Sequence, residues 1–417
     1  MNEQNKYKRK MSPTERVYLI YNHICPPFAN QMILEGSGCL DYKKWILAVK
    51  EASKANPGSR IVCRGHGPLS HWVDSGIAPD VRKEDGSAWN GIGPEGAPFL
   101  ERKLSPIKGP TCEVILINGG TPRIAFRTHH GAMDARGTMS WALDIFRSLR
   151  GEKPIGSHCA LTEQKLARLY QKESRTPPKH RFIAPTGWAD ADKRGIIWKR
   201  VTLEGKYPNL LGQIACIMAD EARKHKDGKV RIAVPVDMRF RVQGLQSTGN
   251  LTNLIYLDIL PDSTPELVSA DITAQIEKRC DGMQYWGDNL ARFIPLWLLK
   301  GTVYRETAMK YRSGFFRNSG ILSNPGRLPL EHFQGGGFVC NTGFFIPPGV
   351  ESLPFFMALA GTHKRVELTL SLPNALASRG RLEALLERLK KELQARKPTY
   401  STLQSAKEYP VQKSKFL

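Results

Sequence analysis

The apolar residues of this chain alternate between the two-residue spacing of a β-strand and the three-to-four-residue spacing of an α-helix, in both halves of its 417 residues. The clearest part is a predicted hairpin, in which strands over 112–117 and 123–128 flank an Asn118-Gly119-Gly120 turn. A predicted amphipathic helix over 139–149 follows. Strands that alternate with helices in this way predict an α+β fold, arranged as an α/β sandwich.

Further segments show the same two spacings. Asp41 is predicted to begin a helix whose apolar side includes Trp45, Ile46, Val49 and Ala52. The other predicted helices cover 210–224, 264–279, 301–311 and 382–393, and the other predicted strands cover 230–236, 338–346 and 366–372. We also predict a strand over 17–21, an irregular connection over 66–110 and burial of the apolar run 293–299.

The chain is two to three times the common size of a domain, which predicts two domains. A polar stretch that contains Pro177-Pro178 is typical of a linker. We therefore predict an N-terminal lobe over 1–178, which carries the motif described below, and a C-terminal lobe over 179–417. Residues 1–10 are predicted to be a mobile basic tail, and residues 398–417 a polar tail.

The chain is strongly basic, with 61 Lys and Arg against 39 Asp and Glu and a formal net charge of +22. Such an excess attracts nucleic acid, acidic membrane surfaces, phosphorylated cofactors or acidic carrier proteins. The cations are spread along the chain without an RNA-binding aromatic motif, zinc-finger spacing or an arginine-rich tail, so we do not expect nucleic-acid binding. A basic surface with no dedicated partner is the alternative interpretation.

The eight cysteines form no CxxC pair and no cluster with histidines, which predicts reduced thiols and no metal site. No apolar run reaches the roughly 18 residues that a membrane-spanning helix needs. The first ten residues are polar and basic, unlike a signal peptide. These features predict a cytoplasmic protein without a transmembrane segment.

The most specific motif directly follows the predicted hairpin and reads His129-His130-Gly131-Ala132-Met133-Asp134-Ala135-Arg136-Gly137. A hydroxyl or amine attacks well only as it loses a proton, and a neutral imidazole with an ordinary pKa of about 6.5 suits that role near pH 7. At the end of a strand, His130 can project into a cleft as a general base. We predict that Asp134 fixes the local geometry through a buried ion pair with an arginine, and that Gly131 and Gly137 allow close approach of main chain or substrate.

The histidine pair has two other interpretations. A lone His-His pair is usually one packed and one exposed histidine without a catalytic role. A metal site is disfavoured because adjacent residues on a strand point to opposite faces. With the full motif we favour catalysis by His130, while His129 is expected to support the main chain or to line the pocket.

The motif resembles the HHxxxD sequence, followed by glycine, of the thioester-dependent acyltransferases. This family includes chloramphenicol acetyltransferase, alcohol acetyltransferases, polyketide-associated acyltransferases and the condensation domains of nonribosomal peptide synthetases. Its second histidine is the catalytic one, which corresponds to His130. Weaker similarities follow in the family's order at 12–16, 56–60, 249–253 and 323–326. They make Arg60, and after it Arg16, the candidate partner of Asp134.

The sequence also departs from the family pattern. Ala135 and Arg136 separate the aspartate from Gly137, so the glycine comes two residues late. The aromatic YxDYAxW segment of condensation domains and the DFGWG segment of the plant acyltransferases are absent from the sequence. No carrier-protein or adenylation module accompanies the motif, which favours a free-standing acyltransferase over a synthetase module.

The resemblance implies two chloramphenicol acetyltransferase-like lobes in a V, with an active-site tunnel between them in which thioester and acceptor meet at His130. It also implies a donor for the developing oxyanion. The candidates are Gly131, Ser323, Asn324 and Asn253. Residues 323–326 equally suit a plain turn. Asn250 and Asn253 are also expected to hold strands together across the lobes, and a polar pair at a strand end is the alternative.

The resemblance implies transfer of an acyl group from a thioester to a hydroxyl or amine. The donor would be acyl-CoA or the phosphopantetheine thioester of an acidic carrier protein, with no permanently bound cofactor, and the acceptor a small-molecule alcohol or amine. Arg312 and Arg317 are candidates for attracting the donor's phosphate. The alternatives are a stand-alone condensation enzyme that forms an amide between carrier-bound substrates, and a non-catalytic member of the fold that binds an anionic ligand.

Overall fold

The computed structural model describes residues 7–176, 179, 181–190, 193–287, 290 and 292–396. Its strands are β1 Lys8–Lys10, β2 Ala29–Gly38, β3 Ile61–Arg64, β4 His71–Asp74, β5 Asp80–Asp85, β6 Cys112–Asn118, β7 Arg123–His129, β8 Ser174–Arg175, β9 Ile196–Glu204, β10 Val230–Asp237, β11 Thr252–Ile259, β12 Gln284–Tyr285, β13 Gly320–Ser323, β14 Gln334–Gly335, β15 Phe338–Ile346, β16 Phe356–Gly361 and β17 Arg365–Pro373. Its α-helices are α1 Pro13–Ile24, α2 Tyr42–Ala55, α3 Ala135–Leu149, α4 Glu163–Tyr170, α5 Leu210–His225, α6 Pro265–Glu277, α7 Leu296–Ser313, α8 Asn374–Ala377 and α9 Arg381–Ala395.

The first lobe is built on a six-stranded sheet with the order β14-β15-β2-β7-β6-β5. Strands β6 and β7 pair antiparallel around the Asn118 turn, which confirms the predicted hairpin. Helices α2 and α3 pack on this sheet and bury the rings of Trp45, Trp141 and Phe146. Both helices confirm their predictions, except that Ile46 of α2 is 39% exposed.

The second lobe is built on another six-stranded sheet, with the order β11-β10-β13-β16-β17-β9. Strand β13 runs parallel to both of its neighbours, and the other pairs are antiparallel. Helices α5, α6 and α9 cover it, and α9 buries the predicted leucine stripe from Leu382 to Leu393. Two helix-on-sheet lobes confirm the predicted α+β class.

The two lobes do not correspond to the two halves of the sequence. Strands β14 and β15 come from the second half but extend the first sheet, where β15 lies antiparallel to β2. This strand covers the edge of β2, which would otherwise expose unpaired main-chain groups. The prediction of lobes over 1–178 and 179–417 is therefore corrected for residues 334–346. The predicted boundary with its Pro177-Pro178 linker lies outside the described residues, as do residues 1–6 and 398–417 of the two predicted tails.

Buried ion pairs join the two sheets. Arg200 of β9 donates to Glu35 of β2 and to Glu367 of β17, each at 2.8 Å. Glu35 also accepts from Arg123 of β7 at 2.8 Å. Because removal of one partner would leave an uncompensated buried charge, loss of any member of this network would destabilise the contact between the lobes.

Residues 17–21 belong to helix α1 and not to the predicted strand. The Ser12 hydroxyl accepts from the Glu15 N–H at 3.2 Å, and the Glu15 carboxylate accepts from the Ser12 N–H at 2.9 Å. This capping box, with Pro13 at the first helical position, nucleates a helix that the apolar run alone did not indicate.

The predicted irregular connection over 66–110 contains two strands, β4 and β5. Strand β5 is almost entirely polar, so its pattern did not predict a strand. It forms because it pairs parallel to the buried strand β6.

The predicted burial of 293–299 is also wrong, since Phe293 is 55% exposed and Trp297 74% exposed. Helix α7 is buried only near its C-terminal end, at Thr307, Lys310 and Tyr311. None of the described helices is long and apolar enough to cross a membrane.

Candidate active site

The histidine pair lies at the junction of a strand and a helix. Strand β7 ends at His129, and helix α3 begins at Ala135 with Asp134 as its N-cap. A tight turn separates them, in which the N–H groups of Ala132 and Met133 donate to the carbonyl of His129 at 2.7 and 3.2 Å. The turn brings His130 and Asp134 to the side of the first lobe that faces the second.

His129 is fully buried and has a structural environment. Its Nδ1 accepts from the N–H of Gly131 at 3.0 Å, and its ring meets Trp72 edge-on. Burial lowers the pKa of His129 to about 3, so the ring is neutral at physiological pH. This geometry supports the main chain of the turn, as one of the two predicted roles requires.

His130 is only half-buried, and its two nitrogens differ. Nδ1 lies 3.4 Å from the carbonyl oxygen of Met133 and 3.1 Å from the amide nitrogen of Asn30. Asn30 itself donates to the same Met133 oxygen at 2.7 Å. No hydrogen bond within the described part of the chain engages Nε2. The inner edge of the ring is thus held by the protein, and the Nε2 edge is open to a reactant.

The surroundings of His130 favour its neutral form. Burial lowers the pKa of His130 below its ordinary value, although the hydrogen bond to the Met133 carbonyl and the charge of Asp134 act in the opposite direction. A neutral imidazole with an open Nε2 can accept a proton near pH 7.

Aromatic rings hold the plane of His130. The ring of Tyr18, from helix α1, stacks on it with centroids 4.5 Å apart and planes 16° apart. Phe28 approaches the same ring at 5.4 Å and also contacts Tyr18. Tyr18 is half-buried, like His130, so the two rings form part of an accessible wall.

Asp134 joins the two lobes. Its carboxylate accepts from both terminal nitrogens of Arg239 at 3.0 Å, and from the N–H groups of Gly137 and Leu251 at 2.7 and 2.8 Å. The Thr252 hydroxyl donates to it at 2.9 Å. Burial alone would raise the pKa of Asp134, but the charge and hydrogen bonds of Arg239 hold it below its ordinary value. The predicted buried ion pair is confirmed.

The predicted partners of Asp134 are wrong. Arg60 pairs with Asp74 at 2.5 Å, and Arg16 donates to the carbonyl of Ile294 at 2.6 Å. The true partner, Arg239, lies in the short 3-10 turn after β10 and was missed because no motif marks it. One signal was present, since its neighbour Asp237 also pairs with it at 2.7 Å and caps that turn.

Gly137 allows the lobes to approach closely, as predicted. A Cβ atom at this position would lie well inside contact distance of the main chain of Thr248. The segment that contains Thr248 also supplies Gly249, whose carbonyl accepts from Arg239 at 2.5 Å. The late position of the glycine in the motif thus matches a close contact between lobes on the first turn of α3.

Two of the predicted oxyanion donors are already engaged. The Gly131 N–H donates to His129, and the side-chain amide of Asn253 donates to the carbonyls of Asp281 and Met283 at 2.6 and 3.1 Å. Both predictions are therefore wrong, and Asn253 has the alternative role at a strand end.

Asn250 makes the predicted contact between the lobes. It donates from the second lobe to the carbonyl of His130 at 3.2 Å.

Residues 323–326 form a turn at the end of β13. The exposed Asn324 side chain accepts from the Gly326 N–H at 3.1 Å, which is the predicted turn interpretation. Ser323 is half-buried at the last position of β13. Since β13 is parallel to β10, Ser323 and Asp237 lie at the same end of the second sheet, where both strands finish.

The candidate phosphate-binding cations have other surroundings. Arg317 forms an ion pair with Glu306 at 2.9 Å, and Arg312 is exposed in the last turn of α7. The described residues contain no group of three or more His, Cys, Asp or Glu side chains that could hold a metal ion.

Comparison with solved structures identifies the fold. The first condensation domain of the calcium-dependent antibiotic synthetase, in complex with a substrate analogue, matches with a TM-score of 0.64 and 14% identity over 95% of this chain and 98% of that one. The chain has the condensation-domain fold. A mutant of the starter condensation domain of rhizomide synthetase RzmA, in complex with C8-CoA and Leu-SNAC, matches with a TM-score of 0.62 and 13% identity over 93% and 94% of the two chains.

The similarity to condensation domains is clear in structure and low in sequence. The condensation domain of the monacolin K polyketide synthase MokA matches with a TM-score of 0.61 and 13% identity, over 93% of this chain and 97% of that chain. No protein-family profile and no curated protein matches the sequence. The condensation-domain fold confirms the predicted pair of chloramphenicol acetyltransferase-like lobes, since that is the architecture which the resemblance implied.

Proposed function

We propose that this protein transfers an acyl group from a thioester to a hydroxyl or amine, with His130 as the general base. The observation that carries the proposal is the geometry of His130. Its Nδ1 edge is held against the main chain, its plane is held by Tyr18, and its Nε2 is open at the contact between the lobes. A neutral imidazole held in this way has the properties that a general base needs.

One histidine is sufficient for both proton transfers of the proposed reaction. Nε2 takes the proton of the acceptor O–H or N–H as the acceptor attacks the thioester carbonyl. The tetrahedral intermediate then expels the thiolate, which takes the proton from the imidazolium. In this scheme Nδ1 keeps its proton throughout and donates a hydrogen bond to the Met133 carbonyl, and the Asn30 amide donates to that same oxygen and not to Nδ1. This tautomer leaves the lone pair on Nε2.

Asp134 acts on the reaction through position. Its oxygens are occupied by Arg239, Thr252 and two main-chain N–H groups, so it neither touches His130 nor exchanges a proton with it. It holds the start of α3, and hence the turn that carries His130, against the second lobe. Ser323 is the proposed oxyanion donor, since it is half-buried at the last position of β13 and lies at the same end of the second sheet as Asp237.

The donor is proposed to be acyl-CoA or an acyl carrier protein. A solved relative of the fold contains C8-CoA, which supports a CoA thioester. The net charge of +22 favours any donor that carries phosphate. The acceptor is proposed to be a small-molecule alcohol or amine. The condensation reaction between two carrier-bound substrates is the second candidate, supported by the synthetase domains that share the fold.

Release of free thiol tests the proposal. The purified protein would be mixed with a panel of acyl-CoAs and acyl carrier proteins and with pooled alcohols and amines, beside a His130→Ala variant. Release from CoA donors that the variant loses supports the acyltransferase. Release from carrier proteins alone supports the condensation enzyme. Equal release by both proteins would contradict the role of His130.

A further inference from the structure

A cluster of charged side chains is buried directly behind the histidine turn. Glu15 of α1 is fully buried, and both of its carboxylate oxygens accept hydrogen bonds. It accepts from the Arg9 guanidinium at 2.6 Å, from the Ser12 N–H at 2.9 Å and from the indole of Trp72 at 3.2 Å. Arg9, from β1, is also buried and is neutralised by this one carboxylate.

A second carboxyl group in this cluster has no such partners. Glu163, the first residue of α4, is only 7% exposed, and neither of its side-chain oxygens accepts a hydrogen bond of normal geometry. An ionised carboxylate in that position would lose its hydration without gaining well-formed hydrogen bonds, which is unfavourable. The fold therefore favours a neutral Glu163.

The charges around Glu163 lead to the same conclusion. The groups that face it are Glu15 and Tyr18 from α1 and Arg9 from β1. With both carboxyls ionised, the single cation Arg9 faces two anions. Burial, and then the charge of Glu15, raise the pKa of Glu163 to about 7, although the nearby Ser12 hydroxyl, the main-chain N–H of Glu163 and the charge of Arg9 act against this. One proton on Glu163 makes the cluster neutral.

The cluster is connected to the active site in two ways, through a hydrogen bond and along helix α1. Arg9 donates to the carbonyl of Ala132, inside the turn that carries His130, at 3.3 Å. Glu15 lies one helical turn before Tyr18, whose ring stacks on His130. A new charge on Glu163 would draw Arg9 away from its present contacts and repel Glu15. Both effects would displace the groups that hold the His130 ring.

We propose that Glu163 is a positioning residue whose carboxyl must carry a proton for α1 and the 129–133 turn to hold His130 in place. Loss of that proton converts a neutral cluster into one with an unpaired buried charge. The site is therefore sensitive to pH on its alkaline side through a residue that does not touch the substrate.

Protein stability and the rate of acyl transfer should both depend on pH through Glu163. Since the folded pKa of Glu163 is raised to about 7 from an unfolded value of about 4.3, its contribution to stability is complete below about pH 4 and is lost as pH rises through 7. If the proposed acyl transfer is the reaction, kcat/KM should also fall above pH 7, by about tenfold per pH unit when only the protonated form is active.

The experiment compares the full-length protein with Glu163→Gln, which imitates the protonated carboxyl, and with Glu51→Gln as a control on the exposed side of α2. Melting temperature and the NMR signals of the His130 ring are recorded between pH 5 and 9. Neither measurement needs turnover, so they decide the inference even if the proposed function fails. Thioester turnover over the same range is the third measurement.

The inference predicts that Glu163→Gln gains melting temperature over the wild type as pH rises from 5 to 7.5, and that the gain then stays constant. It also predicts that an apparent pKa near 7 in the His130 signals, and in turnover, disappears in this variant and persists in Glu51→Gln. A melting difference that is independent of pH would overturn the protonation of Glu163. A His130 signal that still shifts near pH 7 in Glu163→Gln would overturn its positioning role.

Discussion

Replacement of Asp134 by Asn should separate its charge from its shape. The amide keeps an oxygen for the N-cap of α3 but cannot neutralise Arg239, which stays buried. Removing one partner of a buried ion pair typically costs about 3–5 kcal/mol. Because Asp237 still pairs with Arg239 at 2.7 Å, we expect the lower end, about 3 kcal/mol. If each lobe unfolds as a unit of about 200 residues, the melting temperature should fall by roughly 6–12 °C.

The same variant has an expected dependence on pH. The pKa of Asp134 in the folded protein lies below its ordinary value, so its stabilisation is present above about pH 4 and is lost as pH falls through the folded pKa. The difference in melting temperature between the wild type and Asp134→Asn should therefore be full at pH 7 and should shrink in acid. Turnover at pH 7 should fall as well, because the start of α3 is no longer held against the second lobe.

A double-mutant cycle tests the assignment of the partner. Asp134→Asn and Arg239→Gln should be non-additive in the free energy of unfolding, since each removes the same ion pair. Arg60→Gln is the matched control, because Arg60 pairs with Asp74, and its effect should add to that of Asp134→Asn. Additivity with Arg239→Gln, or coupling with Arg60→Gln, would refute the structural account. So would an Asp134→Asn variant with the melting temperature and rate of the wild type.

Two further predictions concern the histidine turn and the contact between lobes. Because burial lowers the pKa of His130, kcat/KM should fall on the acidic side of a pH profile of turnover, with an apparent pKa below the ordinary 6.5 of histidine. An apparent pKa above 7 for this acidic limb would contradict the described environment of His130. Gly137→Ala places a Cβ against the facing main chain and should cost about 1–3 kcal/mol in a denaturant melt, whereas Gly120→Ala, in open space, should cost little. Equal stability of the two variants would contradict the close approach of the lobes.

Local patterns predicted most of the secondary structure correctly. The hairpin of β6 and β7 carries its own turn signal, and the leucine stripe of α9 needs no distant partner to be visible. Helix α1 was missed although its signal was present, because Ser12 and Glu15 have the spacing of a capping box. Its apolar run over 17–21, considered without that box, favours a strand.

Features that depend on distant contacts were not predictable from the sequence. Strand β15 pairs with β2 across about 300 residues, and no local pattern marks that partnership. The resemblance located the histidines and the need for an arginine at Asp134, but it suggested the wrong arginine. Arg239 lies 105 residues further along the chain, and only the fold brings it to Asp134. The buried environment of Glu163 likewise depends on α1 and β1, which the sequence does not show to be its neighbours.

The role of His130 is the central claim, and the most direct test is the rate of thiol release by His130→Ala relative to the wild type, with a donor and acceptor that the wild type turns over. A folded variant should lose about 10²–10⁴-fold in kcat/KM, the usual contribution of a positioned general base. Unchanged melting temperature would show that the loss is chemical and not structural. A folded His130→Ala protein that retains the wild-type rate would contradict the account.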